Sequence, residues 1–140
     1  MTAGEDDLQL LLRHMQPELS REEFGFVSCE PERAKQLQAV SFCQIVEAEG
    51  VTLVVELGEA DRLGLQSSFR CRRITLRVHS SLDAVGFLAA ISTALAKANI
   101  SCNVVSGYYH DHLLVQSDDA DQAMQVLKRL QAGASKPHDR

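Results

Sequence analysis

Residues able to do chemistry concentrate in two short stretches of the chain. The first is Ser80-Ser81-Leu82-Asp83-Ala84-Val85-Gly86, with two hydroxyls, a carboxylate and a glycine. The second is Gly107-Tyr108-Tyr109-His110-Asp111-His112, which holds both tyrosines of the chain. His110 and His112 are two apart, so on an extended strand they share a face, with Asp111 on the other. A zinc site needs three or four ligands and groups that orient them. Two histidines, even joined by His79 or Asp111, fall short of that pattern, so no metal and no cofactor is expected. The favoured reading is a hairpin whose His and Asp residues hydrogen-bond across the turn or line a pocket. His79, Ser81 and Asp83 are close in sequence, but a nucleophile, base and orienting acid need a spatial arrangement that spacing does not supply. The chain carries no GxSxG, Walker-type loop, HExxH or paired-cysteine motif, so these residues point away from an enzyme.

The first stretch can serve binding or packing equally well. It joins a strand to the start of a helix, where backbone N–H groups are unsatisfied and carry partial positive charge. A carboxylate can bind there. Gly86 lacks a Cβ, so the backbone can approach a ligand closely. The alternative is that Ser81 or Asp83 caps the helix and Gly86 permits tight packing. Asn103 is disfavoured inside a strand, and its amide offers donors and an acceptor to a ligand's polar ends, or to a neighbouring turn or strand. The expected site therefore sets Ser80, Ser81, Leu82, Asp83, Val85, Gly86 and Phe87 on the loop against Asn103, Val104, Gly107, Tyr108 and His110 on the following strand and turn. Apolar walls with a few directional polar groups are the usual composition of such a site.

The elements that must position these residues are legible between Ile74 and Leu130. Ile74, Leu76 and Val78 alternate, as in a half-buried strand. Leu88, Ile91, Leu95 and Ala98 then follow helical spacing on one face. Ser101–Ser106 and His112–Gln116 read as strands around a turn at Gly107. Ala123, Val126, Leu127 and Leu130 mark a final helix. The order β-α-β-β-α predicts a split unit with helices near Val85–Asn99 and Asp119–Leu130 on one face of an antiparallel sheet, a ferredoxin-like α+β arrangement.

The first half is read as a reduced version of the same unit. Asp6 or Asp7 caps a helix with Leu8, Leu11, Leu12 and Met15 on its apolar face, ended by Pro17. A strand over Glu23–Cys29 follows, then a polar loop or single helical turn at Pro31–Lys35. Val40–Glu47 and Val51–Glu56 flank Glu49-Gly50 as a hairpin. Gly58–Leu63 is a short helix with Gly64 after it. Phe69–His79 is long enough to close one sheet and open the next. The expected division is an N-terminal helix and reduced unit over residues 1–68, a complete unit over 69–131 and a flexible tail over 132–140. That tail shows no β pattern, so the second sheet lacks a fourth strand, and the two units are expected to interlock, with Glu23–Cys29 or a neighbour supplying the edge.

Composition narrows the partners. A 45% apolar fraction is ordinary for a chain that builds a core. The formal net charge of −5 disfavours nucleic acid. The short basic run Arg70, Arg72 and Arg73 reads as a solvated strand end or as cross-strand ion pairs. No stretch approaches the roughly 18 apolar residues of a membrane span, and the acidic start is unlike a secretory signal. The four cysteines form no close pair, which suits small apolar core residues in a reducing, cytoplasmic setting.

The segments SSLDAVGF and ISCNVVSGYYHDHLLV resemble the ACT domain, in particular a family of small bacterial proteins with two such units in tandem. The resemblance is close over Val78–Val115 and looser in the first half, where Pro31–Lys35 stands in place of a full helix; if a site needs that helix, the first half lacks one. It implies a regulatory module that binds a small ligand, mostly an amino acid, between this loop and the following strand of a facing unit. It also implies pairing through sheets, hence a homodimer.

Overall fold

A computed structural model describes residues 4–135. The chain forms two compact units, one of residues 21–72 and one of residues 4–20 together with 73–135.

The larger unit begins with α1 (Leu8–Arg13), capped by Asp7, whose carboxylate accepts from the Leu10 N–H at 3.1 Å. Strand β1 (Pro17–Cys29) starts at the proline that halts this helix. Its first residues belong to this unit and the remainder to the other. Strand β4 (Ser68–Leu76) is shared in the opposite order. There follow α4 (Phe87–Lys97), β5 (Asn103–Ser106), β6 (Asp111–Gln116), a 3-10 turn at Ser117–Asp119 and α5 (Ala120–Ser135). The strand order is β1-β4-β6-β5. This is the ferredoxin-like β-α-β-β-α unit with its fourth strand supplied from the start of β1, at Pro17–Ser20. The expected donor, Glu23–Cys29, is the far half of the same strand.

The core explains why the helices lie on one face. Ile74 and Leu76 of β4 and Leu113 and Val115 of β6 alternate toward Phe87, Ile91 and Leu95 of α4 and Ala123 and Leu127 of α5, all buried. Leu11 and Leu12 of α1, with Met15 just after it, close the same cluster. The N-terminal helix, expected to go with residues 1–68, thus packs against α4 and α5. At Asn99 the chain turns out of α4 in the left-handed region, at φ +60°, which asparagine tolerates. Two expectations need correction. The strand expected to reach His79 ends at Leu76, where the Arg77 N–H turns to donate to the Met15 carbonyl at 2.7 Å. Residues 132–135 of the expected tail continue α5; residues 136–140 lie outside the described residues.

In the smaller unit, α2 (Pro31–Gln36), a 3-10 turn at Gln38–Val40, β2 (Ser41–Val46), β3 (Val51–Glu56) and α3 (Leu57–Arg62) complete the order β2-β3-β1-β4. Val27, Leu53, Val55, Ala34, Leu37 and Ala60 form its core. The β2–β3 hairpin turns through Gly50 at φ +154°. Both helices have six residues, the physical content of "reduced". Arg70 pairs with Glu23 across strands at 2.5 and 2.7 Å, one of the two readings of the basic run; its side chain is 70% exposed, so the pair adds little stability.

Candidate functional site

The site of the larger unit is built around Asp111. This residue opens β6 and pairs in register with Ser106, which ends β5. Its side chain points to the helix-covered face, in the same alternation as Leu113 and Val115, and is only 7% exposed. Two hydroxyls satisfy the carboxylate: Ser80 donates to Oδ2 at 3.0 Å and Ser106 to Oδ1 at 2.6 Å. Asp111 thereby ties together the loop after β4, the end of β5 and the start of β6.

The loop is turned by its own serine. Ser81 Oγ accepts from the Asp83 N–H at 3.1 Å, and the Ser81 carbonyl accepts from the Ala84 N–H at 3.0 Å. Neither Ser81 nor Asp83 reaches the helix. The residue at the start of α4 is Gly86, at φ +95°, and no side-chain hydrogen bond caps that end. A Cβ on Gly86 would meet only Leu8 Cδ2, at an ordinary 3.6 Å. The glycine is required for its backbone conformation, and its one neighbour shows no close packing there.

Ser80, Ser81, Leu82, Ala84, the first turn of α4 from Gly86 to Ala89, Ser106 and Asp111 line a cavity of about 150 Å³. Pockets for drug-sized ligands run to roughly 300–1,000 Å³, so this one suits a compact molecule. It joins an uncapped helix N-terminus, which favours an anion, to a buried carboxylate, which favours a cation or donor. A second cavity of about 160 Å³ shares Ser80, Ser81 and Leu82 with the first and is otherwise lined by Gly4, His79, Asp83 and Tyr108. The rings of His79 and Tyr109 lie 5.0 Å apart at a tilt of 49°, with Tyr108 5.0 Å from Tyr109.

Of the expected residues, the structure brings Ser80, Ser81, Leu82, Gly86 and Phe87 to the first cavity, and Asp83 and Tyr108 to the second. Five others line neither. Val85 is 85% exposed. Asn103, exposed, sits opposite Leu114 at the far end of β5, and by alternation on the face away from Ser106. Val104 shares the face of Ser106 but is two residues away and exposed. Gly107 and His110 close the hairpin, the Gly107 N–H donating to the His110 carbonyl at 2.8 Å. Sequence reasoning did not place Ser106 and Asp111 among the residues that line this cavity. The signal was the same alternation that set Asp111 opposite His110 and His112, carried on to ask which face the helices cover.

His112 points the other way, toward Thr75, with Nδ1 2.9 Å from Thr75 Oγ1. Burial, and then the cations Arg73 and neighbouring His110, hold its pKa below the usual 6.5. Among the described residues no group of three or more His, Cys, Asp or Glu side chains is placed to hold a metal ion. The smaller unit offers a wider pocket of about 420 Å³, between Ser28–Pro31 and Val46–Val51. Three glutamates line it, and Pro31 at the start of α2 removes one of the N–H donors an anion needs.

Comparison with known proteins agrees with this architecture. The ACT-domain family matches twice, over residues 3–72 and again over residues 68–129. The chain belongs to the ACT-domain family. A Vibrio cholerae protein of unknown function, described as a possible transport protein, shares 43% identity at a TM-score of 0.79 over 89% of this chain and 95% of its own. An Agrobacterium tumefaciens protein superposes at 0.65 with 16% identity, over 82% and 87% of the two chains. The regulatory subunit of aspartate kinase from Thermus thermophilus superposes at 0.57 with 8% identity, over 81% and 95%. The last two similarities speak for the tandem ACT fold alone. No curated protein matches the chain. ACT domains as a class are regulatory modules for small ligands. Among the described residues no helix of this ACT protein is long and apolar enough to cross a membrane.

Proposed function

We propose that this tandem ACT protein is a non-catalytic regulator that binds a small zwitterion, an amino acid, in the Asp111 cavity of its larger unit. The observation that carries the reading is the pairing of opposite preferences in one compact space. The first turn of α4 has no side-chain cap and favours a carboxylate. Asp111, buried and held by two serines, favours an ammonium group. Ser80, Ser81, Leu82, Gly86, Phe87, Ser106 and Asp111 are the proposed contacts, with Asp83 and Tyr108 beside the second cavity. The cavity volume limits the ligand to a small amino acid. Because a ligand of the native state raises stability by mass action, a thermal-shift panel of amino acids, nucleobases and divalent metals tests the reading. A shift with small amino acids that Asp111→Asn abolishes is expected; a shift with metals alone sinks it.

The four cysteines are free thiols, which supports a reducing, cytoplasmic setting. Open strands β2 and β5 at the edges of the two units support self-association as a homodimer. A second reading, an interaction module with an empty cleft, rests on Leu82 and Val85. They are 69% and 85% exposed on the loop that borders both cavities. A flat response across the whole panel favours it.

A further inference from the structure

The cavity beside Tyr108 has one wall that does not come from the β4–α4 loop or the β5–β6 hairpin. Gly4, four residues ahead of α1, lines it. The segment is docked by a parallel bridge between Glu5 and Ser80. The Glu5 N–H donates to the His79 carbonyl and the Ser81 N–H donates to the Glu5 carbonyl, both at 2.8 Å. Gly4 lies so close that a Cβ there would stand 2.5 Å from the Ser80 carbonyl carbon and 2.6 Å from the Ser81 nitrogen. Those atoms are backbone and cannot swing aside, so any side chain at position 4 must lift the segment. Asp6 and Asp7 are exposed, whereas α1 is anchored by buried Leu11, Leu12 and Met15. Among the described residues, two backbone hydrogen bonds therefore hold a short strap that starts from a fixed helix, and a segment held so lightly opens locally far more readily than the core.

We infer that residues 4–6 form a lid over the Tyr108 cavity, and that its docking clamps the loop carrying Ser80 to Asp111. Opened, the strap uncovers that cavity and frees the Ser81 N–H. Closed, it fixes the loop between Glu5 on one side and Asp111 on the other. As a gate on ligand entry the lid rests on the proposed function; as a device of the fold it does not.

The test uses the full chain with Gly4→Val and, as a gentler second variant, Glu5→Pro, which removes the N–H donated to His79. Two readouts need no ligand. Amide hydrogen exchange at Ser81 is expected to accelerate about tenfold or more in Gly4→Val, with Ile91 and Leu95 unchanged. The chain has two tyrosines and no tryptophan, so its tyrosine emission reports on Tyr108 and Tyr109, and acrylamide quenching is expected to rise. Glu5→Pro is expected to move both readouts in the same direction, and it decides the question if Gly4→Val does not fold. Unchanged Ser81 exchange in a folded variant overturns the clamp, and unchanged quenching alongside faster Ser81 exchange overturns the lid. Failure of the amino-acid reading shows separately, as no binding by the wild-type chain in calorimetry.

Discussion

A carboxylate taken out of water is costly unless donors meet it, and Asp111 has two serine hydroxyls in that role. Asp111→Ala strands both hydroxyls and is expected to lower unfolding stability by about 1–3 kcal/mol in urea titrations. Asp111→Asn keeps an acceptor but not the charge. It is expected to cost less stability while abolishing the amino-acid response in calorimetry, which separates binding from folding. Gly86 makes a different case. With φ at +95° and room for a Cβ, its cost lies in the backbone. Gly86→Ala is expected to destabilise by about 1–2 kcal/mol, and Gly86→Val by more, because a β-branched residue there is a true outlier. Equal stability of wild type and Gly86→Ala in denaturant would refute this. Cys71 lies fully buried, donating to the Phe24 carbonyl at 3.4 Å. Burial, and then the nearby Glu23 carboxylate, push its thiol up to about 11, so it is expected to resist alkylation until the chain unfolds.

At the scale of elements, α1 shows that sequence neighbours need not be packing partners. Its caps and apolar face were legible from Asp7, Leu8, Leu11, Leu12 and Met15, yet amphipathic spacing names a buried face without naming what covers it. Leu11→Ala is expected to cost about 2–5 kcal/mol. Hydrogen exchange should loosen α4 and α5 before β2 and β3, and the reverse order would contradict the assignment. His112 lies on β6 and faces away from the α4 side. Its folded pKa is depressed below the usual 6.5, so the unfolded chain binds the proton more readily. The stability His112 permits is therefore complete above 6.5 and falls as pH drops through 6.5 toward the folded value. Across that window the urea midpoint of His112→Gln is expected to change less than that of wild type.

The whole chain leaves one compact unit after residue 20 and returns to it at residue 73. Long strands make this possible: β1 and β4 each run from one unit into the other. The 11-residue apolar-patterned stretch Phe69–His79 signalled such a strand, and the missing fourth strand after Leu130 signalled the exchange. What spacing could not say was which half of β1 fills the gap, since pairing partners distant in sequence leave no local mark. Sedimentation at micromolar concentration is expected to show a dimer; a single 15.4 kDa species would exclude it.

The sequence by itself determined the elements, the ferredoxin-like order and the ACT resemblance. These follow from local alternation, helical spacing and turn residues, which each segment carries alone. It also pointed to the loop at Ser80–Phe87 as a candidate, because a strand-to-helix junction ending in glycine is a local feature. Only the tertiary structure decided which polar groups meet there. Asn103 looked apt by chemistry, yet it sits on the outer parity of β5. Asp111 looked like a turn residue until β5 and β6 paired, placing Ser106 and Ser80 against it under the start of α4. A side chain's type is written in the sequence; the face it occupies and the partners it finds depend on register and on which side the helices cover.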